Sequence, residues 1–142
     1  ITSELNVDSK AVKVLKKEEI PNYEPELYAT ERLWAKASDG TLIPVTVSYK
    51  KSHFRSGTNP LYIYAYGAYG LSNDPEFLVP EISLLDRGFV YAIAHIRGGM
   101  EMGRDWYDKG RMMNKKNTFT DFIAATEHLL STGYGRPGHV YM

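Results

Sequence analysis

The sequence predicts an α/β fold, on three observations. Two short unbroken apolar runs, Leu61 to Tyr66 (LYIYAY) and Phe89 to Ile96 (FVYAIAHI), read as strands covered on both faces. A helical pattern follows each, and Val140 to Met142 begins a third apolar run. Strand, helix, strand, helix, strand implies a parallel sheet with right-handed crossovers. Bulk composition agrees: of 142 residues, 43% are hydrophobic and 24% charged, the balance of a globular chain rather than a disordered or fibrous one.

Each element has its own signal. Ala11 to Lys17 (AVKVLKK) reads as one short strand, with Val12 and Val14 on one face. Glu18 to Glu26 carries two prolines and four acids and reads as an extended linker, because proline lacks a donor and biases the residue before it away from helix. A hairpin follows, Thr30 to Ser38 and Thr41 to Lys50, joined by Asp39-Gly40, a pair suited to a type I′ turn. In its second arm Ile43, Val45, Val47 and Tyr49 alternate with Leu42, Pro44, Thr46 and Ser48, and Pro44 pushes the arm towards a sheet edge. This antiparallel hairpin would border the parallel strands.

After the Leu61–Tyr66 run comes a glycine-rich loop, Gly67 to Glu76. Val79 to Arg87 is a short helix with Ile82 and Leu85 at helical spacing and Gly88 as its stop. The Phe89–Ile96 run leads into a second glycine loop, Arg97 to Gly103. Thr118-Phe-Thr-Asp121 resembles a capping box with Asp in place of Glu. It opens a helix with Phe119, Phe122, Ile123, Thr126 and Leu130 on one stripe, ended by Gly133.

Composition narrows the function. Lys plus Arg equals Asp plus Glu at 17 each, which argues against a nucleic-acid or anionic-membrane partner. Without cysteine there is no thiolate nucleophile and no Cys-based zinc site. The apolar stretches fall far short of the ~20 residues of a membrane span. No charged-then-apolar leader opens the chain, so the cytoplasm is the expected compartment. Ile1 stands first, and His139 to Met142 reads as a strand cut off midway, so the sequence is expected to be a segment of a longer protein.

His53, His95, His128 and His139 show no ligand spacing and are expected to be structural or solvated; neither metal nor cofactor is expected. There is no Walker loop, and Gly98, Gly99 and Gly103 miss the dinucleotide-binding spacing. There is also no Gly-x-Ser-x-Gly elbow, the strained turn that lifts a serine hydroxyl clear of a sheet. What stands out is two glycine loops at the carboxyl ends of two strands, where open α/β sheets place their sites. They are Tyr64-Ala-Tyr66-Gly-Ala-Tyr69-Gly70 and Arg97 to Gly103, with Trp106 close behind. Two readings stay open from composition and spacing: tight turns lined by packing aromatics, or part of an active site.

The stretches YAYGAYG, SLLDRGFVYAIAHIRGGMEMGRDWYDKG, KKNTFTDFIAATEHLL and GYGRPGHVYM resemble the prolyl oligopeptidase family of serine peptidases, and within it the oligopeptidase B group. The likeness runs from about residue 14 to residue 142. It implies a β-propeller capping an α/β-hydrolase domain. Residues 1–20 would be the end of the propeller, 21–29 the linker, and 30–142 the front of the hydrolase domain. The family's nucleophile elbow would follow almost directly after Met142, with its acid and base later still.

The resemblance assigns site residues too. The second tyrosine of the Y-x-Y-G motif helps to form the oxyanion hole, and that position is Tyr66. A phenol, with an ordinary pKa of ~10, stays protonated near neutrality and can donate to a developing oxyanion. Tyr69 aligns with an aromatic residue of the substrate pocket. Asp74 and Glu76 match acidic positions that receive basic side chains in oligopeptidase B, which implies short peptides cleaved after Arg or Lys; Glu76 departs from the Asp usual there. Met100 departs from the usual RGGGE or RGGSE, and would be strained if its site required positive φ. Arg97 and Glu101 are expected to fix the second loop. The implied partners are such peptides and the remainder of the same polypeptide; the alternative is a non-catalytic, hydrolase-like binding or assembly module.

Overall fold

The computed structural model describes residues 1–76 and 78–142. Within them, strands β1 (Thr2–Leu5) and β2 (Val12–Lys16) pair antiparallel as a separate two-stranded sheet, every residue of it exposed. β2 is the strand expected in Ala11 to Lys17. β1 was not legible, because Thr-Ser-Glu-Leu carries no apolar alternation. Asn6 closes the turn between them, its Oδ1 accepting the N–H groups of Asp8 and Ser9 at 3.1 and 2.9 Å.

A 3₁₀ turn at Pro25–Leu27 leads into the main sheet. Its strands are β3 (Tyr28–Lys36), β4 (Leu42–Lys50), β5 (Leu61–Tyr64), β6 (Val90–Ala94) and β7 (Val140–Tyr141), in the order β3-β4-β6-β5-β7. β3 and β4 form the expected hairpin. Its turn is not type I′, for only Gly40 (φ +85°) takes a left-handed conformation there, and Asp39 does not. Gly40 N–H donates to Ala37 O at 2.9 Å and Ala37 N–H to Thr41 O at 2.8 Å, a three-residue loop with one left-handed glycine. Asp39 stays in an ordinary conformation with its carboxylate engaged, Oδ1 accepting Thr41 N–H at 3.0 Å.

Pro44 does not put its strand at the edge. β4 lies between β3 and β6, and β3 is the edge. The β4–β6 ladder runs from Val45 to Ser48 and stops before Pro44, whose carbonyl accepts His95 N–H at 2.9 Å. The missing donor therefore falls just beyond the paired stretch, where it costs no ladder bond.

β5 pairs in parallel with both β6 and β7, as the alternating pattern predicted. Helix α1 (Val79–Asp86) joins β5 to β6, and α2 (Arg104–Asp108) and α3 (Lys116–Ser131) lie between β6 and β7. α1 ends as expected, with Gly88 at φ +85° beyond its C-cap Arg87. Strand alternation divides the core. Val45, Val47, Leu61, Ile63, Val90, Ala92 and Ala94 face α3, through Ala125 and Leu129. Tyr91, Ile93 and Tyr62 face α1, through Ile82 and Leu85. β6 is thus buried on both faces, which explains its unbroken apolar run. β5 is not: Leu61 and Ile63 are buried, but Tyr62 is half-buried and Tyr64 exposed.

α3 presents a different face from the stripe expected. Thr118, Asp121, Ala125 and Leu129 are buried, whereas Phe119 and Ile123 are 62% and 55% exposed. The helix starts at Lys116, two residues before the supposed cap, and no side chain caps it. The Thr118-x-x-Asp121 spacing puts both side chains on one helix face, and that face is turned to the sheet by polar contacts rather than by apolar periodicity. Two substitutions measure which face is core. Leu129→Ala is expected to cost about 2–5 kcal/mol, and Ile123→Ala less than about 0.5 kcal/mol, read from urea unfolding. The reverse order would reinstate the apolar stripe.

Candidate active site

The connection after β5 departs on the α1 face of the sheet, and that after β6 on the α3 face. Where two neighbouring parallel strands send their connections to opposite faces, a crevice opens at their carboxyl ends. Both glycine loops lie at that crevice, and they touch backbone to backbone. A Cβ on Gly98 (φ +104°) would stand 2.1 Å from Gly67 O, and one on Gly110 would stand 2.1 Å from Gly98 N. Only glycine permits either approach. Gly70 N–H donates to Gly98 O at 3.0 Å, and Gly98 N–H to Trp106 O at 3.1 Å. Trp106, buried, spends its indole N–H on His95 O at 3.1 Å.

The start of the second loop is fixed by charge. Arg97 is 3% exposed and Asp121 is fully buried. Nε and Nη2 of Arg97 donate to the two Asp121 oxygens at 2.8 and 2.6 Å, and the Arg97 backbone N–H donates to Oδ2 at 3.0 Å. Arg97 Nη1 reaches Asp39 Oδ2 at 2.6 Å, tying the β3–β4 turn to the same loop. The Thr41 N–H, together with that guanidinium, holds the Asp39 carboxyl down at about 2. Thr118 Oγ1 donates to Arg97 O and Gly110 O at 2.7 and 3.1 Å. Thr118 and Asp121 thus lock the second glycine loop instead of capping a helix.

Three further contacts pin the first loop, two of them at Asn73. Lys115 Nζ donates to Gly67 O at 2.6 Å. Glu101 Oε1 accepts Asn73 N–H at 3.1 Å. The His95 ring bonds Thr46 Oγ1 at 2.9 Å, and also the Asn73 backbone. Burial pushes His95 down to about 4, so it is a neutral structural group here. Met100 has no positive φ, so its departure from glycine or serine carries no strain.

The four residues assigned by resemblance are not all brought together. Tyr66 lies two residues past the end of β5, 43% exposed, and its hydroxyl has no hydrogen-bond partner among the described residues. Tyr69, 81% exposed at φ +54°, lines a 280 Å³ cavity with Gly98, Tyr107, Arg111 and Lys115. Asp74 and Glu76 are exposed and share a separate groove of about 600 Å³ with Tyr62, Tyr64, Glu81 and Tyr91. Burial raises the Glu81 carboxyl, which accepts a hydrogen bond from Tyr91. Glu81 and Lys115 carried no signal in the sequence: one is an acid on a short helix, the other half of a Lys-Lys pair.

Comparison with known proteins decides the family. The profile of the prolyl oligopeptidase family matches residues 75–142. The chain is 52% identical over 140 residues to a dipeptidyl aminopeptidase BI of Pseudoxanthomonas mexicana, covering 98% of this chain and 19% of that protein. The chain belongs to the prolyl oligopeptidase family. Protease 2 of Moraxella lacunata is 44% identical over 115 residues, 81% of this chain and 17% of that protein. The structure of oligopeptidase B from Leishmania major superposes with a TM-score of 0.89 at 39% identity, covering 97% of this chain and 19% of that one. Members of the family are serine peptidases. The chain spans less than one-fifth of the length of these relatives.

Two outcomes follow from the charges of this site. Asp121→Asn leaves the Arg97 guanidinium buried without its counter-charge and is expected to destabilise the fold by about 3–5 kcal/mol in urea unfolding. Acid acts in two windows. An unfolded chain protonates its histidines near pH 6.5 while folded His95 resists until about 4, so stability falls as pH drops from 6.5 to 4, by on the order of 3 kcal/mol. The Asp39 contribution is present above its ordinary value of 3.8 and is lost as pH falls from there towards 2. His95→Gln should flatten the upper window and leave the lower one; an unchanged upper slope would assign it elsewhere.

Proposed function

We propose that this chain is the front of the catalytic domain of a serine-type oligopeptidase that hydrolyses short peptides after Arg or Lys by acyl transfer, without a cofactor. In this reading residues 1–20 close a β-propeller, 21–29 link it to the hydrolase domain, and 30–142 begin that domain. The serine, aspartate and histidine of the triad come from the rest of the polypeptide. The 142-residue chain alone is then inactive, since an oxyanion donor without a nucleophile forms no acyl-enzyme.

The observation that supports the reading is Tyr66 itself, two residues past the carboxyl end of β5 and 43% exposed, with no hydrogen-bond partner for its hydroxyl among the described residues. A tyrosine serving only to pack hides its ring and satisfies its hydroxyl. Tyr66 does neither, and its neighbours Gly67 and Gly70 hold the backbone in left-handed turns (φ +63° and +66°). As serine attacks a scissile carbonyl, the oxygen gains negative charge, and the phenol O–H donates to it without being consumed. Asp74 and Glu76 supply carboxylates for a guanidinium or ammonium on the residue before the cut, and Tyr69 supplies an aromatic wall. Names among the relatives, Protease 2 and oligopeptidase B on one side and prolyl endopeptidases on the other, make the choice of side chain the point to test.

In the full-length polypeptide, Tyr66→Phe is expected to lower kcat by about 10²–10³ with KM little changed. Asp74→Asn with Glu76→Gln should raise KM for an Arg–p-nitroanilide peptide and leave a Pro–p-nitroanilide peptide unaffected. A wild-type preference for the Pro substrate would overturn the basic specificity while leaving the peptidase reading intact. Stoichiometric labelling of the 142-residue chain by a fluorophosphonate would sink the assignment of the triad to other parts of the polypeptide.

A further inference from the structure

We infer that Lys115 is a positioning residue for the oxyanion tyrosine, its ammonium clamping the carbonyl of Gly67 and so fixing the backbone from which Tyr66 projects. The inference rests on the reading of Tyr66 given above. Lys115 Nζ donates to Gly67 O at 2.6 Å, a short charge-assisted bond to the residue that directly follows Tyr66. No carboxylate among the described residues pairs with this ammonium. Its other neighbour is the Phe119 ring, 5.9 Å from Nζ to the centroid.

The arrangement is unusual for a surface lysine. Desolvation lowers the pKa of Lys115, so part of its hydration is given up for one neutral carbonyl. A lysine that merely solubilised the helix start would keep its head in water. The carbonyl it chose belongs to the peptide that most needs holding. Gly67 is left-handed (φ +63°), packed against Ile96 and Thr118 so closely that a Cβ would stand 2.6 Å from Ile96 Cγ1. The next backbone bond between the two glycine loops, Gly70 N–H to Gly98 O, lies three residues further on. Between the end of β5 and that bond, the Lys115 contact is what holds the Gly67 carbonyl among the described residues, anchored in turn by α3, which the Thr118 and Asp121 contacts fix to the second loop. A donor that works by geometry loses rate when its backbone drifts by a fraction of an ångström.

The test is a double-mutant cycle in the full-length polypeptide, with kcat and KM measured on an Arg–p-nitroanilide peptide. Lys115→Met keeps the apolar stem and removes the ammonium. It is expected to lower kcat on the order of 10- to 100-fold with KM little changed. In a Tyr66→Phe background the same substitution should change kcat by less than about 3-fold, because the group it positions is gone. Should Lys115→Met not fold, Lys115→Gln takes its place in the same cycle with the same expectation. An unaltered kcat in Lys115→Met, alongside a large loss in Tyr66→Phe, would overturn the inference and leave the oxyanion assignment standing. A Lys115 penalty of equal size in both backgrounds would also overturn it. A Tyr66→Phe variant with full kcat would remove the oxyanion assignment, and this inference with it.

Discussion

The backbone contact among Gly67, Gly98 and Gly110 is what the rest of the site depends on. Gly98 would drive a Cβ into Gly67 O, and Gly110 would drive one into Gly98 N. With no side chain between them, two loops that leave adjacent strands for opposite faces of the sheet are welded into one surface. The polar contacts around them follow from this closeness. Two peptide segments in van der Waals contact present carbonyls that no sheet or helix satisfies, and buried carbonyls must find donors. Thr118 serves Arg97 O and Gly110 O, Lys115 serves Gly67 O, and Trp106 serves His95 O.

The Arg97–Asp121 pair belongs to the same logic. A buried ion pair is not in itself a source of stability, since desolvation of both ions offsets most of their attraction. Its value here is directional. Asp121 accepts from the Arg97 side chain twice and from its backbone N–H once, so one carboxylate fixes both the chain path and the side-chain direction at the mouth of the loop. Asp39 extends the hold to the β3–β4 turn, and α3 is docked by its polar side chains as much as by Ala125 and Leu129.

This explains which parts of the structure were legible beforehand. β6 and α1 could be read because their signals are local: an unbroken apolar run, and helical spacing closed by Gly88. The alternation in β4 was legible for the same reason. Asp39-Gly40 marked a turn correctly, but not its type: the Asp39 carboxylate is engaged by Thr41 N–H and by Arg97, the latter 58 residues away in sequence. Thr118 and Asp121 were singled out at the right spacing and given the wrong partner, because a capping box and a face of two loop-binding side chains share that spacing. Of the expected stripe, Phe122 packs against the core but Phe119 and Ile123 are exposed, because the buried face of α3 is centred on a threonine and an aspartate with Ala125 and Leu129. Lys115 left no trace at all, since a lysine that caps a carbonyl looks the same in sequence as one in water.

Two buried or half-buried cations therefore do different work within one small region. Arg97 meets two carboxylates, and its charge is neutralised where it stands. Lys115 meets a carbonyl and a ring, so its positive charge is not cancelled locally. A carboxylate beside Lys115 would compete with the Gly67 carbonyl for the ammonium and could draw it off the backbone. Held by a neutral acceptor, the ammonium spends its short, charge-assisted bond on the turn itself, whereas Arg97 takes its direction from two acids. One cation ties elements together through carboxylates; the other fixes a single peptide of the first glycine loop.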